Sequence, residues 1–421
     1  MRILERVTRI VVVSAALLAT APSVALAACQ MIMPGDPGGK ANTIILKGCN
    51  LEINNGAGST ATVNGLGNVI VGYNENRGGG ADRRTGSHNV IVGAKDNFTS
   101  YGGLVVGYQN ETSASYATVN GGSENLASGS YAAIAGGRAN AASGAYSSIT
   151  GGQYGAAVGG SSMVLGGWNN QARANFATVA GGRDNVATSK TPADPYAVSY
   201  STVSGGSTNT ASGSAAVVSA GYGNTASGSY AAVSGGYSND ATGGSASVTG
   251  GVSNEASGSY ASVTGGYANE ASGQSSSVTA GTLNDATAMQ AAVHGGDDNV
   301  ASAESAVVSG GSTNTASAEA TAVSGGWGNT ASGFAASVSG GSGNTSSGIY
   351  CWVGGGYGNG SLANYSSVAG GYDNEASGGY SAVGGGRSNS ATGDYAVVSG
   401  GLERSATDLY DWRAGGLFQG E

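Results

Sequence analysis

The chain has 421 residues, 79 of them glycine, with 10% charged residues and a formal net charge of −9. Glycine without a Gly-X-Y period excludes a collagen triple helix, and glycine spread along the chain disfavours long helices, because each interior glycine costs about 0.5–1 kcal/mol. An acidic chain without basic runs is a poor ligand for nucleic acid, and two histidines and three cysteines leave little material for metal or nucleophilic chemistry. We therefore expect an all-β repeat protein that binds no nucleic acid.

Residues 1–27 have the features of a secretory signal peptide. Three arginines within the first nine residues precede an apolar run, and Ala25-Leu26-Ala27 supplies a small-residue cleavage site. The overlapping Leu26-Ala27-Ala28-Cys29 also resembles a bacterial lipobox, which would place a lipid on Cys29. We expect a secreted or cell-surface bacterial protein, or an outer-membrane lipoprotein if the lipobox is used. No other segment could be a transmembrane helix.

Residues 28–62 form a lead-in without a repeat, which we expect to cap the N-terminal end of the repeats. Cys29 and Cys49 lie in this lead-in and could close a disulfide in an oxidising compartment after export. The third cysteine, Cys351, falls within the repeats two residues before a valine, where we expect a small buried thiol.

Residues 63–401 repeat with a period of fifteen. A branched aliphatic residue recurs at every fifteenth position from Leu104 through Val119 to Val398, and the only break is a nine-residue insertion at 189–197. Two less regular copies precede this run, which gives about 22 units.

Each unit is predicted to form one coil of a solenoid. Around Val233, strand alternation places Ala231 and Val233 on an inner face. Gly236, three residues after the valine, marks a turn that other residues resist, and Ala241 marks a second short strand. Two strands and two turns in fifteen residues form a narrow coil, which stacks on the next coil through parallel hydrogen bonds about 4.8 Å apart.

An asparagine stands six residues after the aliphatic position in nearly every unit. Repetition on this scale favours a structural role over a ligand site: asparagine tolerates left-handed turns, and its amide can bond between coils. The longest unbroken run of this predicted asparagine ladder is Asn209, Asn224, Asn239, Asn254, Asn269, Asn284, Asn299, Asn314, Asn329, Asn344, Asn359, Asn374 and Asn389.

The repeat resembles a known family. The unit Val263-Thr264-Gly265-Gly266-Tyr267-Ala268-Asn269-Glu270-Ala271-Ser272-Gly273 is similar to the head repeats of YadA-like trimeric autotransporter adhesins. The resemblance covers residues 104–401 well. It implies a left-handed parallel β-roll that assembles as a homotrimer and adheres to host matrix or other surfaces, without catalytic residues.

The chain departs from that family after Val398, because no heptad stalk follows and there is no room for several membrane strands. We expect a head-type roll that is exported alone. Residues 402–421 are predicted to be a C-terminal cap, in which Leu409, Trp412 and Phe418 shield the open edge of the last coil.

Two columns of aromatic residues are predicted to face outward. The first, three residues before the aliphatic position, contains Tyr101, Tyr116, Tyr131, Tyr146, Phe176, Tyr200, Tyr230, Tyr260, Tyr350, Tyr365, Tyr380 and Tyr395. The second, four residues after it, contains Tyr108, Trp168 and the candidate ligand-surface residues Tyr222, Tyr237, Tyr267, Trp327, Tyr357 and Tyr372. Such rows could stack on sugar rings or on a protein partner. Stacking between coils, or burial of the first column between subunits, would explain them without a ligand.

Two polar columns also face outward in this interpretation. The residue after the aliphatic position is mostly Ser or Thr, a hydroxyl row that could order ice-like water, although His294 interrupts it. A second column stacks four carboxylates in successive coils, where exposure to water or a bridging cation such as Ca²⁺ would relieve their repulsion. These weak metal candidates are Asp240, Glu255, Glu270 and Asp285.

The sequence therefore predicts an exported, non-catalytic structural or adhesive protein without a cofactor, which binds host matrix, glycan or other surfaces through a repetitive rod. The alternative functions are ice binding and self-assembly into a surface layer. We expect a homotrimer, because a coil that buries one valine and two alanine-sized groups gains little apolar burial for the fifteen residues it orders.

Overall fold

The computed structural model describes residues 30–189 and 199–415. The chain divides into two compact units, Met1–Ile53 and Asn54–Glu421. The described part of the first unit contains two antiparallel strands, Gln30–Ile32 and Ile45–Lys47.

The predicted signal peptide, Cys29 and nearly all of the predicted insertion lie outside the described residues. The predicted lead-in boundary at 62/63 differs from the structure, where residues 54–62 belong to the second unit.

The second unit is a parallel β-solenoid with a fifteen-residue repeat, which confirms the predicted all-β class; the described residues contain no helix. One sheet, named here the valine sheet, consists of Val69–Val71, Val90–Ala94, Leu104–Tyr108, Thr118–Val119, Ala133–Ile134, Ser148–Ile149, Met163–Val164, Thr178–Val179, Thr202–Val203, Val217–Val218, Ala232–Val233, Ser247–Val248, Ser262–Val263, Ser277–Val278, Ala292–Val293, Val307–Val308, Ala322–Val323, Ser337–Val338, Trp352–Val353, Ser367–Val368, Ala382–Val383, Val397–Val398 and Trp412–Arg413.

The second sheet, named here the alanine sheet, consists of Asn97–Phe98, Glu111–Thr112, Leu126–Ala127, Ala141–Ala142, Ala156–Ala157, Gln171–Ala172, Val186–Ala187, Thr210–Ala211, Thr225–Ala226, Asp240–Ala241, Glu255–Ala256, Glu270–Ala271, Asp285–Ala286, Val300–Ala301, Thr315–Ala316, Thr330–Ala331, Thr345–Ser346, Gly360–Ser361, Glu375–Ala376, Ser390–Ala391 and Ser405–Ala406. Each strand pairs in parallel with the equivalent strand one coil away. Pairing continues directly across the insertion, because Val179 aligns with Val203. A third line of parallel bridges, four residues after each valine, runs from Tyr108 to Leu402.

The interior of each coil is as small as the sequence predicts. In a typical coil Ala231 and Val233 of the valine sheet and Ala241 of the alanine sheet are fully buried, whereas Ala232 and Ser234 point outward. Cys351 occupies the equivalent of Ala231 and is 1% exposed, which confirms its predicted inward orientation.

Tight turns hold these strands together, and the coil around Val233 contains three left-handed positions. Gly236 has φ +94°, and a Cβ at this position would lie 2.2 Å from the carbonyl oxygen of Gly251 in the next coil, so no other residue fits. The other two positions, which the sequence did not reveal, have side chains: Tyr230 has φ 60° and Ser238 has φ 52°.

The asparagine amides bond between coils as predicted, but the asparagines are not the left-handed residues of the turn. The asparagines are buried, and the left-handed residue is the one before each of them. The Oδ1 of Asn284 accepts the backbone N–H of Asn299 at 3.1 Å. The Nδ2 of Asn299 donates to the carbonyl oxygens of Gly295 at 3.0 Å and of Gly311, in the next coil, at 2.9 Å. Each side-chain amide therefore satisfies buried backbone groups of two coils, its own and the next.

Two expectations about the ends of the repeat are wrong. The first buried aliphatic of the regular run is Val105, because Leu104 pairs with Thr118 and Val105 pairs with Val119. A five-residue strand here shifts the register by one residue.

The predicted C-terminal cap is also wrong in part. Its residues continue the solenoid: Ser405–Ala406 and Trp412–Arg413 add one more strand to each sheet. Leu409 is 62% exposed and Trp412 is 64% exposed, so neither shields the coil edge. Phe418 lies outside the described residues.

We predict that Asn299→Ala lowers the free energy of unfolding by about 3 kcal/mol, because it leaves the backbone N–H of Asn314 and the carbonyl of Gly295 without their partner and removes one of the two donors to the carbonyl of Gly311. Urea denaturation measures the change. The matched control is Asn120→Ala, at an exposed asparagine outside the ladder, which should change stability by less than about 0.5 kcal/mol. Equal effects of the two substitutions would contradict the structural role of the ladder.

Candidate functional site

The aromatic column three residues before each valine, named here the tyrosine column, lies on the outside of the solenoid at a left-handed turn. Where tyrosines occur in successive coils from Tyr116 onward, their rings stack on one another. Tyr365 and Tyr380 have ring centroids 4.7 Å apart and an interplanar angle of 6°, and Tyr380 and Tyr395 are 4.9 Å apart at 3°. The predicted alternative of stacking between coils is therefore correct for these residues.

Stacks in the tyrosine column are concentrated near the two ends of the solenoid. One joins the first coils, and another joins the last described coils and includes Tyr410, which lies beyond the aromatic column predicted from the sequence. Between them, Tyr230 and Tyr260 have no aromatic neighbour in the column and are 70% and 66% exposed. The members of the two terminal stacks are Tyr116, Tyr131 and Tyr146 at one end, where Tyr101 adds an edge-to-face contact, and Tyr350, Tyr365, Tyr380, Tyr395 and Tyr410 at the other.

The column four residues after each valine, named here the bridge column, contains the candidate ligand-surface residues, and all of them are exposed. Four of the six cover each other's ring faces: Tyr222 and Tyr237 stack at 5.3 Å, and Tyr357 and Tyr372 stack at 5.1 Å. The guanidinium of Arg387 lies 5.3 Å from the ring of Tyr372 and covers this stack further.

The remaining two candidates in the bridge column have no aromatic neighbour along the column. Tyr267 lies between Val252 and Thr282, and Trp327 lies between Ser312 and Ser342. Trp327 is 61% exposed. Only an aromatic ring with an uncovered face can stack on a sugar ring or on a partner's side chain. These two residues are therefore the best-placed members of the predicted ligand surface.

The predicted hydroxyl row is exposed along the outer face of the valine sheet. Ser204, Thr249 and Thr264 are exposed, and His294 lies in the same row. The hydroxyl groups therefore face outward in one row, as predicted, and His294 interrupts that row.

The predicted carboxylate column is formed in register. Asp240 aligns with Glu255, Glu255 with Glu270, and Glu270 with Asp285. Burial raises the pKa of Asp285, and the charges of Glu270 and Asp298 raise it further. No group of three or more His, Cys, Asp or Glu side chains among residues 30–189 and 199–415 could hold a metal ion. The column is a stack of partly solvated carboxylates.

A surface notch of about 280 Å³ lies where two glycines replace side chains, at Gly358 and Gly360. Its walls include the carboxylates of Asp373 and Glu375. The lining is polar and acidic, so the notch suits a group that donates hydrogen bonds.

The cysteines and His88 are engaged in the structure. Cys49 is disulfide-bonded, and its predicted partner Cys29 lies outside the described residues, so the pairing stays a prediction. The Sγ of Cys351 lies 2.8 Å from the Oγ of Ser346. His88 Nε2 accepts the backbone N–H of Asn55 at 3.2 Å, and Nδ1 donates to the carbonyl oxygen of Thr60 at 3.1 Å.

A buried charged cluster at the start of the solenoid was not found from the sequence. Glu111 is almost fully buried, and its Oε2 lies 2.9 Å from Arg83 and 3.4 Å from Arg77. Arg77 also donates to the carbonyl oxygens of Lys95, Gln109 and Asn110. Arg77 thus satisfies backbone groups of the first coils. The sequence feature that could have indicated this cluster is the arginine-containing segment just before the regular repeats.

Asp96 occupies the first position of the asparagine ladder. Its Oδ1 accepts the backbone N–H of Asn110 at 2.8 Å, as an asparagine would. Its Oδ2 is buried without a hydrogen-bond partner. In the next coil the equivalent atom, Nδ2 of Asn110, donates to two carbonyl oxygens. A carboxylate has no proton to donate there, so the neutral form of Asp96 fits this position better.

Burial raises the pKa of Asp96 to about 6, although the N–H of Asn110 and the charges of Arg77 and Arg84 act in the opposite direction. Because the pKa is raised in the folded state, the stability contributed by protonation is fully present below about pH 3.8 and is lost as the pH rises through about 6.

We predict that Asp96→Asn stabilises the first coils at pH 7 by about 1–3 kcal/mol, because an amide restores the missing donor. Hydrogen exchange of the amides between residues 90 and 112 at pH 5 and pH 7 measures this effect. The reverse substitution one coil on, Asn110→Asp, is the matched control and should destabilise the same coils at pH 7. Faster exchange in Asp96→Asn than in the unmodified chain would contradict the assignment.

Comparisons with known proteins assign no family. The chain matches no protein-family model, and no curated protein matches its sequence. Within the described parts of the chain, no helix has the length and apolarity required to cross a membrane.

Proposed function

We propose that this protein is an exported, non-catalytic adhesive or structural solenoid that binds glycan or extracellular matrix protein through its bridge column. The observation that carries this proposal is the uncovered, exposed ring of Trp327, together with that of Tyr267 on the same face. Four coils separate the two residues, a distance of roughly 19 Å at about 4.8 Å per coil. An extended chain of sugars or an extended polypeptide can span that distance.

Two observations support export and the absence of catalysis. Cys49 is disulfide-bonded, and disulfides persist in oxidising compartments outside the cytosol. Both ring nitrogens of His88 are hydrogen-bonded to backbone groups, so this histidine has no free nitrogen with which to act as a general base. The predicted location is the outside or surface of a bacterium, with the outer-membrane lipoprotein as the alternative. The resemblance to YadA-like heads and the left-handed sense of the coil stay predictions.

Binding of the purified protein to a panel of glycans and extracellular matrix proteins tests the function. We predict that Trp327→Ala and Tyr267→Ala each weaken binding about tenfold, because a central aromatic contact contributes more than about 1 kcal/mol. Leu362→Ala is the control, since Leu362 is an exposed apolar side chain that lies outside both aromatic columns. Binding that is unaffected by the bridge-column variants, or a panel without a single ligand, would contradict the proposal.

The proposed homotrimer rests on the exposed tyrosine column. Stacked rings already contact each other within one chain, but Tyr230 and Tyr260 have no such partner. A second subunit would remove their apolar surface from water, and cyclic symmetry would repeat the contact in every subunit. Sedimentation equilibrium should give three times the chain mass, and Tyr230→Ser/Tyr260→Ser should shift the equilibrium towards the monomer. A folded monomer at micromolar concentration would disprove the trimer.

The hydroxyl row supports a second candidate function, ice binding, through its repeated exposed Ser and Thr positions. An ice-binding protein shows thermal hysteresis, whereas an adhesin binds the ligand panel. A surface-layer protein, the remaining alternative, does neither and assembles with itself.

A further inference from the structure

We infer that the terminal tyrosine stacks are sites of oxidative coupling, at which a peroxidase with hydrogen peroxide joins tyrosines of successive coils through a carbon–carbon bond. The C-terminal stack carries the argument. Its rings from Tyr350 to Tyr410 are stacked at centroid distances of 4.7–5.5 Å. They are also exposed, so a one-electron oxidant reaches them from solvent.

The chemistry requires two neighbouring phenols and one two-electron oxidant. Each tyrosine loses one electron and its phenolic proton to form a phenoxyl radical. The two radicals combine at the ring carbons next to the hydroxyl, and both carbons then lose their hydrogen as the phenols reform. In total two tyrosines lose two hydrogen atoms, and one hydrogen peroxide is reduced to two waters.

Proximity determines which tyrosines couple. Fixed neighbours react at a far higher effective concentration than side chains that must meet by diffusion. Tyr395 and Tyr410 are such neighbours, with ring centroids 5.1 Å apart and an interplanar angle of 26°. In the single chain, Tyr230 and Tyr260 are 70% and 66% exposed, against 45% and 69% for Tyr395 and Tyr410, but have no ring of the same chain beside them. Comparing stacked tyrosines with isolated tyrosines therefore separates the effect of a neighbouring ring from the effect of solvent exposure.

The location of the stacks gives the coupling a consequence. Each coil of a repeat protein is stabilised by its neighbours, so a covalent bond between two coils opposes the local opening of either one. Tyr410 lies in the last described coil, between Ser405–Ala406 and Trp412–Arg413. A bond from Tyr395 to Tyr410 ties this coil to the one before it.

Mass spectrometry of the oxidised full chain tests the inference. Cleavage after Arg387, Arg404 and Arg413 releases Tyr395 in peptide 388–404 and Tyr410 in peptide 405–413. We expect these peptides as a linked pair that lacks two hydrogens, with a yield independent of protein concentration. Tyr395→Phe should lower that yield about tenfold or more, while the ring that it retains keeps the stack and the fold. Tyr230→Phe is the matched control and should leave the yield unchanged.

Three results would overturn the inference: a yield that rises with protein concentration, cross-links that arise mainly from Tyr230 and Tyr260, or an unchanged yield in Tyr395→Phe. Hydrogen exchange of the amides of residues 405–413 tests the consequence separately. Exchange should slow after oxidation of the unmodified chain and not after oxidation of Tyr395→Phe. Equal exchange before and after coupling would overturn the proposed tie between coils.

Discussion

The requirement that each coil return to its starting point after fifteen residues constrains the rest of this molecule. Parallel pairing continues along the valine sheet from Val69 to Arg413. A coil this short has little room inside, so the interior of the regular coils consists mainly of valine, alanine and the asparagine amide, and the largest buried side chain, Phe98, lies in the irregular first coils. Buried backbone groups at the turn have no water to bond with and need an internal partner. An apolar stack and a hydrogen-bonded amide stack therefore run side by side through the interior.

Much of this architecture could be predicted from the sequence because the repeat copies the same information many times. Strand alternation around Val233 identified the buried positions, and the same register placed Cys351 inside. The period alone showed that equivalent residues lie one above another in successive coils. The carboxylate column and both aromatic columns could be predicted from that spacing. The position of Gly236 in the repeat identified the turn where a Cβ has no room.

The remaining features depend on conformation or on departures from the repeat, which periodicity does not report. Tyr230 and Ser238 have left-handed backbones although neither is a residue type typical of that region. The sequence likewise could not decide whether tyrosine rings face a neighbouring coil or a neighbouring subunit, because both arrangements need the same spacing. Asp96 and Val105 lie where the repeat is irregular, so a register taken from the regular coils fails there.

The irregular residues are concentrated at the ends because the ends face a different physical problem from the middle. A middle coil has its backbone groups paired on both sides, whereas an end coil presents one unpaired face. At the N-terminal end Arg77 donates to three backbone carbonyls and is held in place by Glu111. At the C-terminal end Arg413 occupies the position of a buried valine and lies 3.0 Å from Asp411. A charge in that column cannot be buried beneath a further apolar coil without a large desolvation penalty. Arg77 therefore pairs backbone groups of the first coils, and Arg413 places a charge in the valine column of the last described coil.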